Sequence, residues 1–170
     1  AIKLLSPPHH YRLFKRSNGT STSFTTESPC VELDYVEFNS TSDLVTLSTR
    51  NQTPQSHWEL KLFDVSVDNN DTAILHYEEE YESDDEARIS RVDYRLVYLA
   101  QNSCYIVEKV EEIRTTAAER GTQSQKCELW TVKKEESESR SGIEAQNECK
   151  RQFDVLCLPG EQIWTEKCTQ

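Results

Sequence analysis

The chain has 170 residues, a formal net charge of −11, 35% hydrophobic and 29% charged residues, a composition that suits one globular domain. The acidic balance argues against a nucleic acid or an anionic membrane as partner, because either would be repelled over most of the surface. No apolar run approaches the ~18 residues that span a bilayer, and no cleavable leader is visible, so the sequence reads as a mature, exported, soluble form.

Segments with period-two alternation, rich in β-branched and aromatic residues, recur along the chain and predict strands over 11–16, 30–38, 44–49, 58–67, 73–80, 89–100, 104–113 and 127–133. Polar punctuation separates them. Ser17-Asn18-Gly19, Asp68-Asn69-Asn70-Asp71 and Gln101-Asn102-Ser103 carry the Asx and left-handed chemistry of tight reversals. Strands joined by short turns pair with their neighbours, so the expected fold is all-β, an eight-stranded antiparallel up-and-down barrel around one small ligand. Segments 78–86, dense in carboxylates, and 115–125 read as mobile connections. Beyond the strands, Ile143, Cys149, Phe153, Leu156 and Cys157 fall on one stripe and predict an amphipathic helix over 141–158, capped near Ser141 and stopped by Pro159-Gly160.

The six cysteines, Cys30, Cys104, Cys127, Cys149, Cys157 and Cys168, are even in number and lack the short paired spacing of zinc or redox motifs, which predicts three disulfides. Asn18, Asn39, Asn51 and Asn70 each open an Asn-x-Ser/Thr sequon. Together these features predict a secreted glycoprotein. His9, His10, His57 and His76 show no metal-ligand spacing. No phosphate loop and no nucleophile elbow is present, so neither an enzyme nor a cofactor is expected.

The string Cys127-Glu128-Leu129-Trp130-Thr131-Val132, preceded by Cys104-Tyr105-Ile106-Val107 and followed by a cysteine-bearing helix and a terminal cysteine, resembles the tick salivary lipocalins, the group that includes the histamine-binding proteins. The resemblance extends from about residue 11 to 168. It implies one lipocalin domain over 1–170, with a barrel over about 10–134, the helix packed on its outer wall and a disulfide-tethered tail. The lead-in 1–10, with Pro7-Pro8, is too short for the N-terminal helical segment usual in that group. The pairings it implies are Cys30–Cys168, Cys104–Cys149 and, for the remaining two, Cys127–Cys157.

The same resemblance directs Glu128 and Trp130 inward, where residues of the histamine-binding members contact the amine. It further implies an inward set of Asp93, Arg95, Val97 and Leu99 on the sixth strand and Leu75 and Tyr77 on the fifth. On the fourth it implies Trp58, Leu60 and Leu62 or their alternates. Arg95 departs from the histamine binders, which carry a carboxylate at the corresponding place. A cation in the pocket opposes another cation, so an apolar or amphipathic ligand such as a sterol, fatty acid or eicosanoid is expected. Its capture in saliva would modulate host immune and inflammatory responses. The alternative is a histamine or serotonin scavenger that uses Glu128, Asp93 and aromatic faces. The net charge of the inward-facing set discriminates the two. Glu128 and Arg95 could also simply pair with each other, and Trp130 and Tyr77 could simply fill the core. A further reading is a monomeric binder of a host protein that uses the outer surface and leaves the barrel inert.

Overall fold

A computed structural model describes residues 10–18, 30–39, 42–50, 57–79, 91–100, 103–110, 126–132 and 140–169. Residues 1–9 of the lead-in, Asn51, the segment 115–125 and most of the segment 78–86 lie outside them. Eight strands follow in chain order: β1(His10–Ser17), β2(Cys30–Asn39), β3(Ser42–Arg50), β4(Glu59–Val67), β5(Ile74–Glu79), β6(Arg91–Ala100), β7(Cys104–Lys109) and β8(Cys127–Val132). Each pairs antiparallel with the next, and β1 pairs with both β8 and β2, which closes the barrel. The meander sends the β1–β2, β3–β4, β5–β6 and β7–β8 connections to one end, called here the first end, and the other three to the second.

A ninth strand, β9(Gly160–Gln162), has no counterpart in the alternation pattern and pairs with Lys15, Arg16 and Ser17. β1 thus divides its edge, with His10, Tyr11 and Arg12 against β2 and its last three residues against β9. A β-bulge between Leu13 and Lys15 accompanies the change of partner. Gly160 lets the two backbones meet, since a Cβ there would collide with the main chain of Arg16 and Ser17. The glycine that stops the helix in the sequence therefore also admits a strand.

The helix, α1(Arg140–Leu156), lies on the outer wall of β6, β7 and β8. Cys149 and Phe153 are fully buried against Cys104, Ile106, Cys127 and Leu129, with Phe14, Val97, Tyr98 and Ala100 at the margin. Ile143 and Leu156, expected on the buried stripe, are exposed. Gly142 is buried instead and Ala145 half-buried, because small residues let the first turns approach the wall closely. The disulfides are Cys30–Cys168, Cys104–Cys149 and Cys127–Cys157, the pairing the resemblance implies. The last two tie α1 to the barrel. The first fixes the tail, where a 3-10 turn over Glu166–Thr169 follows Trp164.

Candidate functional site

Alternation along closed strands gives the barrel an inner face, and the side chains on it form three levels. Tyr11, Tyr35, Tyr77, Tyr94 and Tyr105 occupy the middle with Trp130. Tyr11 meets Tyr105 edge to face at 4.8 Å between centroids, Tyr77 meets Tyr94 likewise at 5.7 Å, and Tyr105 lies parallel to Trp130 at 6.3 Å. The Tyr35 and Tyr77 hydroxyls are 3.5 Å apart. Burial holds the hydroxyls of Tyr35, Tyr94 and Tyr105 in the neutral form by pushing their pKa well above 10, and neighbouring tyrosines or Glu128 add to it. None of these rings has more than 3% of its surface accessible. The layer is closed as it stands, so a ligand reaches the middle only by turning side chains aside.

Toward the second end the inner face is aliphatic. Val67, Leu96 and Leu99 pack on the core around Leu75 and keep accessible surface. The first end is charged. Glu128 is buried and the Tyr94 hydroxyl donates a hydrogen bond to it. Arg16 lies directly across from Glu128 in the β1–β8 register and is itself buried. The bulge decides its direction: Leu13 points in, Phe14 and Lys15 both point out to α1, and Arg16 points in again. Glu79, opposite Phe63, and Lys109, opposite Tyr94, share the inner face by register and are half-buried. The buried and half-buried inward set among the described residues therefore holds two acids and two bases and is balanced.

Five of the expected wall residues are on this face: Glu128, Trp130, Leu99, Tyr77 and Leu75. Four are not. Val92, Tyr94 and Leu96 point in, so Asp93 and Arg95 stand on the outer wall. Asp93 accepts from His76 Nδ1 at 2.7 Å and Arg91 Nε at 3.1 Å, and Arg95 reaches Asp71 at 3.0 Å and Glu108 at 3.7 Å. Val97 packs under α1. A bulge between Leu96 and Tyr98 then shifts the phase, which is why Leu99 points in although Val97 does not. Trp58 lies outside the barrel, nearly parallel to Trp164 at 6.3 Å and beside Cys30–Cys168, with the Arg12 guanidinium 5.2 Å over the Trp164 ring. On β4 the inward residues are the alternates Phe63, Val65 and Val67, and Leu60 is exposed. Arg16 was missed because its direction depends on an irregularity that alternation does not show.

The outer wall has its own polar cluster. His76 bonds Asp68 through Nε2 at 2.7 Å and Asp93 through Nδ1. His76 and the backbone N–H groups of Asp71 and Asn70 lower the Asp68 pKa to about 2. Among the described residues no group of three or more His, Cys, Asp or Glu is placed to hold a metal. Of the sequons, Asn18 and Asn70 are exposed, and the side chains of Asn39 and Asn51 lie outside the described residues.

A closed eight-stranded meander with one helix on its wall and an inward face graded from charged to aliphatic defines a lipocalin, a barrel that holds a ligand inside. The sequence profile described as tick histamine binding protein matches residues 1–170 in full, and the chain belongs to that family. Among solved structures it is similar to Japanin from Rhipicephalus appendiculatus bound to cholesterol, at 16% identity and a TM-score of 0.61, over 95% of this chain and 96% of that one. It is also similar to apocrustacyanin C2, at 6% identity and a TM-score of 0.58, over 95% of this chain and 79% of that one. Lobster apocrustacyanin A1 matches at 8% identity and a TM-score of 0.54, over 91% and 75% of the two chains. No curated protein sequence matches.

Proposed function

We propose that this lipocalin is a secreted salivary protein that sequesters a small, uncharged or amphipathic host molecule in its barrel, of the sterol or eicosanoid class, and so damps a host inflammatory or immune response. The observation that carries this is the balanced charge of the inward set: Arg16 faces Glu128 across adjacent strands, and Lys109 accompanies Glu79. A net-neutral interior offers no field for a free ammonium, whereas a graded wall fits a body with one polar end. The cholesterol bound to Japanin is consistent with such a ligand. Burial of about 300 Å² of apolar ligand would contribute about 7 kcal/mol at ~25 cal/mol per Å², enough for micromolar binding or better after association costs. Arg95, the residue on which the same expectation first rested, has no part in this, since it stands outside.

The closed tyrosine layer favours a second reading, in which the barrel is an inert scaffold and the outer surface binds a host protein. Native mass spectrometry of glycosylated protein from eukaryotic culture, followed by titration with a sterol, an eicosanoid, histamine and serotonin, separates the readings. The expected result is a co-purified sterol or eicosanoid, bound more tightly than either amine. Tight amine binding without lipid binding restores the amine scavenger, and an interior that takes none of the four favours the surface reading.

A further inference from the structure

We infer that Arg16 is the specificity-determining residue of the interior: it stands opposite Glu128 as a built-in cation, in the place a ligand's ammonium would take, and so closes the site to amines. This inference rests on the reading of the barrel as a ligand site, and concerns which charge class the site refuses.

Three observations place Arg16 there. The first is register. Arg16 and Glu128 are directly paired across β1 and β8, so their Cβ atoms stand about 5 Å apart on the same face, within reach of a guanidinium. The second is burial, since both residues belong to the buried polar set at the first end. The third is the bulge between Leu13 and Lys15. Strict alternation from Leu13 would direct residue 15 inward and residue 16 outward. With the extra residue, Lys15 instead reaches the Phe153 ring and Asp154 on α1, and Arg16 turns into the barrel. β9 pairs with β1 just beyond the bulge, and its Glu161, across from Arg16, is exposed. Glu128 is thus the buried carboxylate directly across from Arg16 in the register, and the Tyr94 hydroxyl completes the polar group.

The chemistry follows from competition for one anion. A cationic ligand gains from Glu128 only what Arg16 leaves, and in a site removed from water it meets the guanidinium as a like charge. A neutral hydroxyl or carbonyl meets both a donor fork and an acceptor with no such opposition. Taking away either charge should therefore move the preference in a definite direction.

The test is isothermal titration of the full, disulfide-bonded protein and three variants with histamine, serotonin and a long-chain fatty acid. Arg16→Gln is expected to bind the amines about tenfold more tightly than the native protein, or better. Arg16→Lys, which keeps the charge, is expected to remain as refractory as the native protein. Glu128→Gln is expected to gain fatty-acid affinity by a similar factor and to gain nothing for amines. Near-UV circular dichroism establishes that each variant holds its packed core. A folded Arg16→Gln protein that binds amines no better than the native one overturns the inference, as does Arg16→Lys behaving like Arg16→Gln. Should Arg16→Gln not fold, Glu128→Gln decides, and a folded protein with no gain for the fatty acid overturns it. Failure of the native protein to hold any sterol or eicosanoid would sink the sterol-or-eicosanoid reading and leave this charge rule standing.

Discussion

The wall of β6 to β8 and the wall of β3 to β5 are built from the same kind of strand, yet they solve opposite problems on their outer faces. On the first, the outward residues Val97, Tyr98, Cys104, Ile106, Cys127 and Leu129 are covered by α1. On the second, the outward residues Leu60, Asp64 and Glu78 meet water, and His76 joins Asp68 and Asp93 in a polar cluster at the border with β6. The covered wall is apolar on both faces, so its stability comes from packing and covalent bridges. The open wall is apolar on one face only and is held by its ladder, its inner packing and exposed ion pairs. Both share one inner layer of tyrosines, so the same barrel has a rigid flank, a solvated flank and a closed middle.

Removal of the covered wall's bridge should have the largest effect. The Cys104→Ala, Cys149→Ala protein loses a crosslink across 45 residues of sequence separation and is expected to be about 4 kcal/mol less stable in urea titration. A loss under about 1 kcal/mol would show that packing alone holds α1 in place.

The shared inner layer should declare itself in alkali. Burial raises the pKa of Tyr35, Tyr94 and Tyr105 well above 10 in the folded state, while the unfolded chain ionises them near 10. Their contribution is complete below pH 10 and is lost as pH rises beyond it. Three such groups lower stability by about 4 kcal/mol by pH 11, with the 295 nm phenolate signal of those rings rising only on unfolding. A reversible rise while the near-UV dichroism persists would mean that the layer opens to water.

Truncation contrasts the flanks directly. Phe153→Ala empties a fully buried site under α1 and should cost about 3 kcal/mol, whereas Leu60→Ala on the open wall, 70% exposed, should stay within about 0.5 kcal/mol of native stability. Equal losses would erase the distinction between the two walls.

The smallest effect belongs to the His76 cluster. Burial alone would lower the His76 pKa, but the carboxylates of Asp93 and Asp68 outweigh it and the pKa rises above 6.5. Its contribution is complete below pH 6.5 and is lost as pH climbs through the folded value. Asp68, lowered from 3.8 to about 2, contributes above pH 3.8 and loses that contribution as pH falls toward 2. The cluster is therefore strongest between pH 3.8 and 6.5. His76→Gln should flatten the decline of Tm from pH 6 to 8 by no more than about 4 °C, since solvent screens these groups. An unchanged slope would show that the imidazole does not hold the turn at 68–73.

The strand count, the meander and the helix were legible because each rests on local regularities: alternation, turn residues at fixed offsets, and Pro159-Gly160 after an amphipathic run. The number of disulfides followed from parity. The inward placement of Glu128 and Trp130 came from the resemblance, since β8 is buried on both faces and its polarity alone gives no phase; β7 and β8 pair without a bulge, which keeps the two on one face. β6 was harder. Its first half, Arg91 to Leu96, alternates plainly with Val92, Tyr94 and Leu96 inward, but its second half is apolar on both faces, since α1 covers one and the core the other. The single phase that the resemblance implied for the whole strand, from Asp93 to Leu99, crosses the bulge and therefore placed Asp93, Arg95 and Val97 on the wrong side.

Trp58 was misplaced because two of its partners, Trp164 and Cys168, lie more than a hundred residues away in sequence. By itself, then, the sequence determined the barrel, the helix and the pool of residues that can face inward, because periodicity is written locally. Only the tertiary structure decided that Arg16 and not Arg95 stands opposite Glu128. Bulges in β1 and β6 each insert one residue, and a one-residue shift exchanges the two faces of everything beyond it.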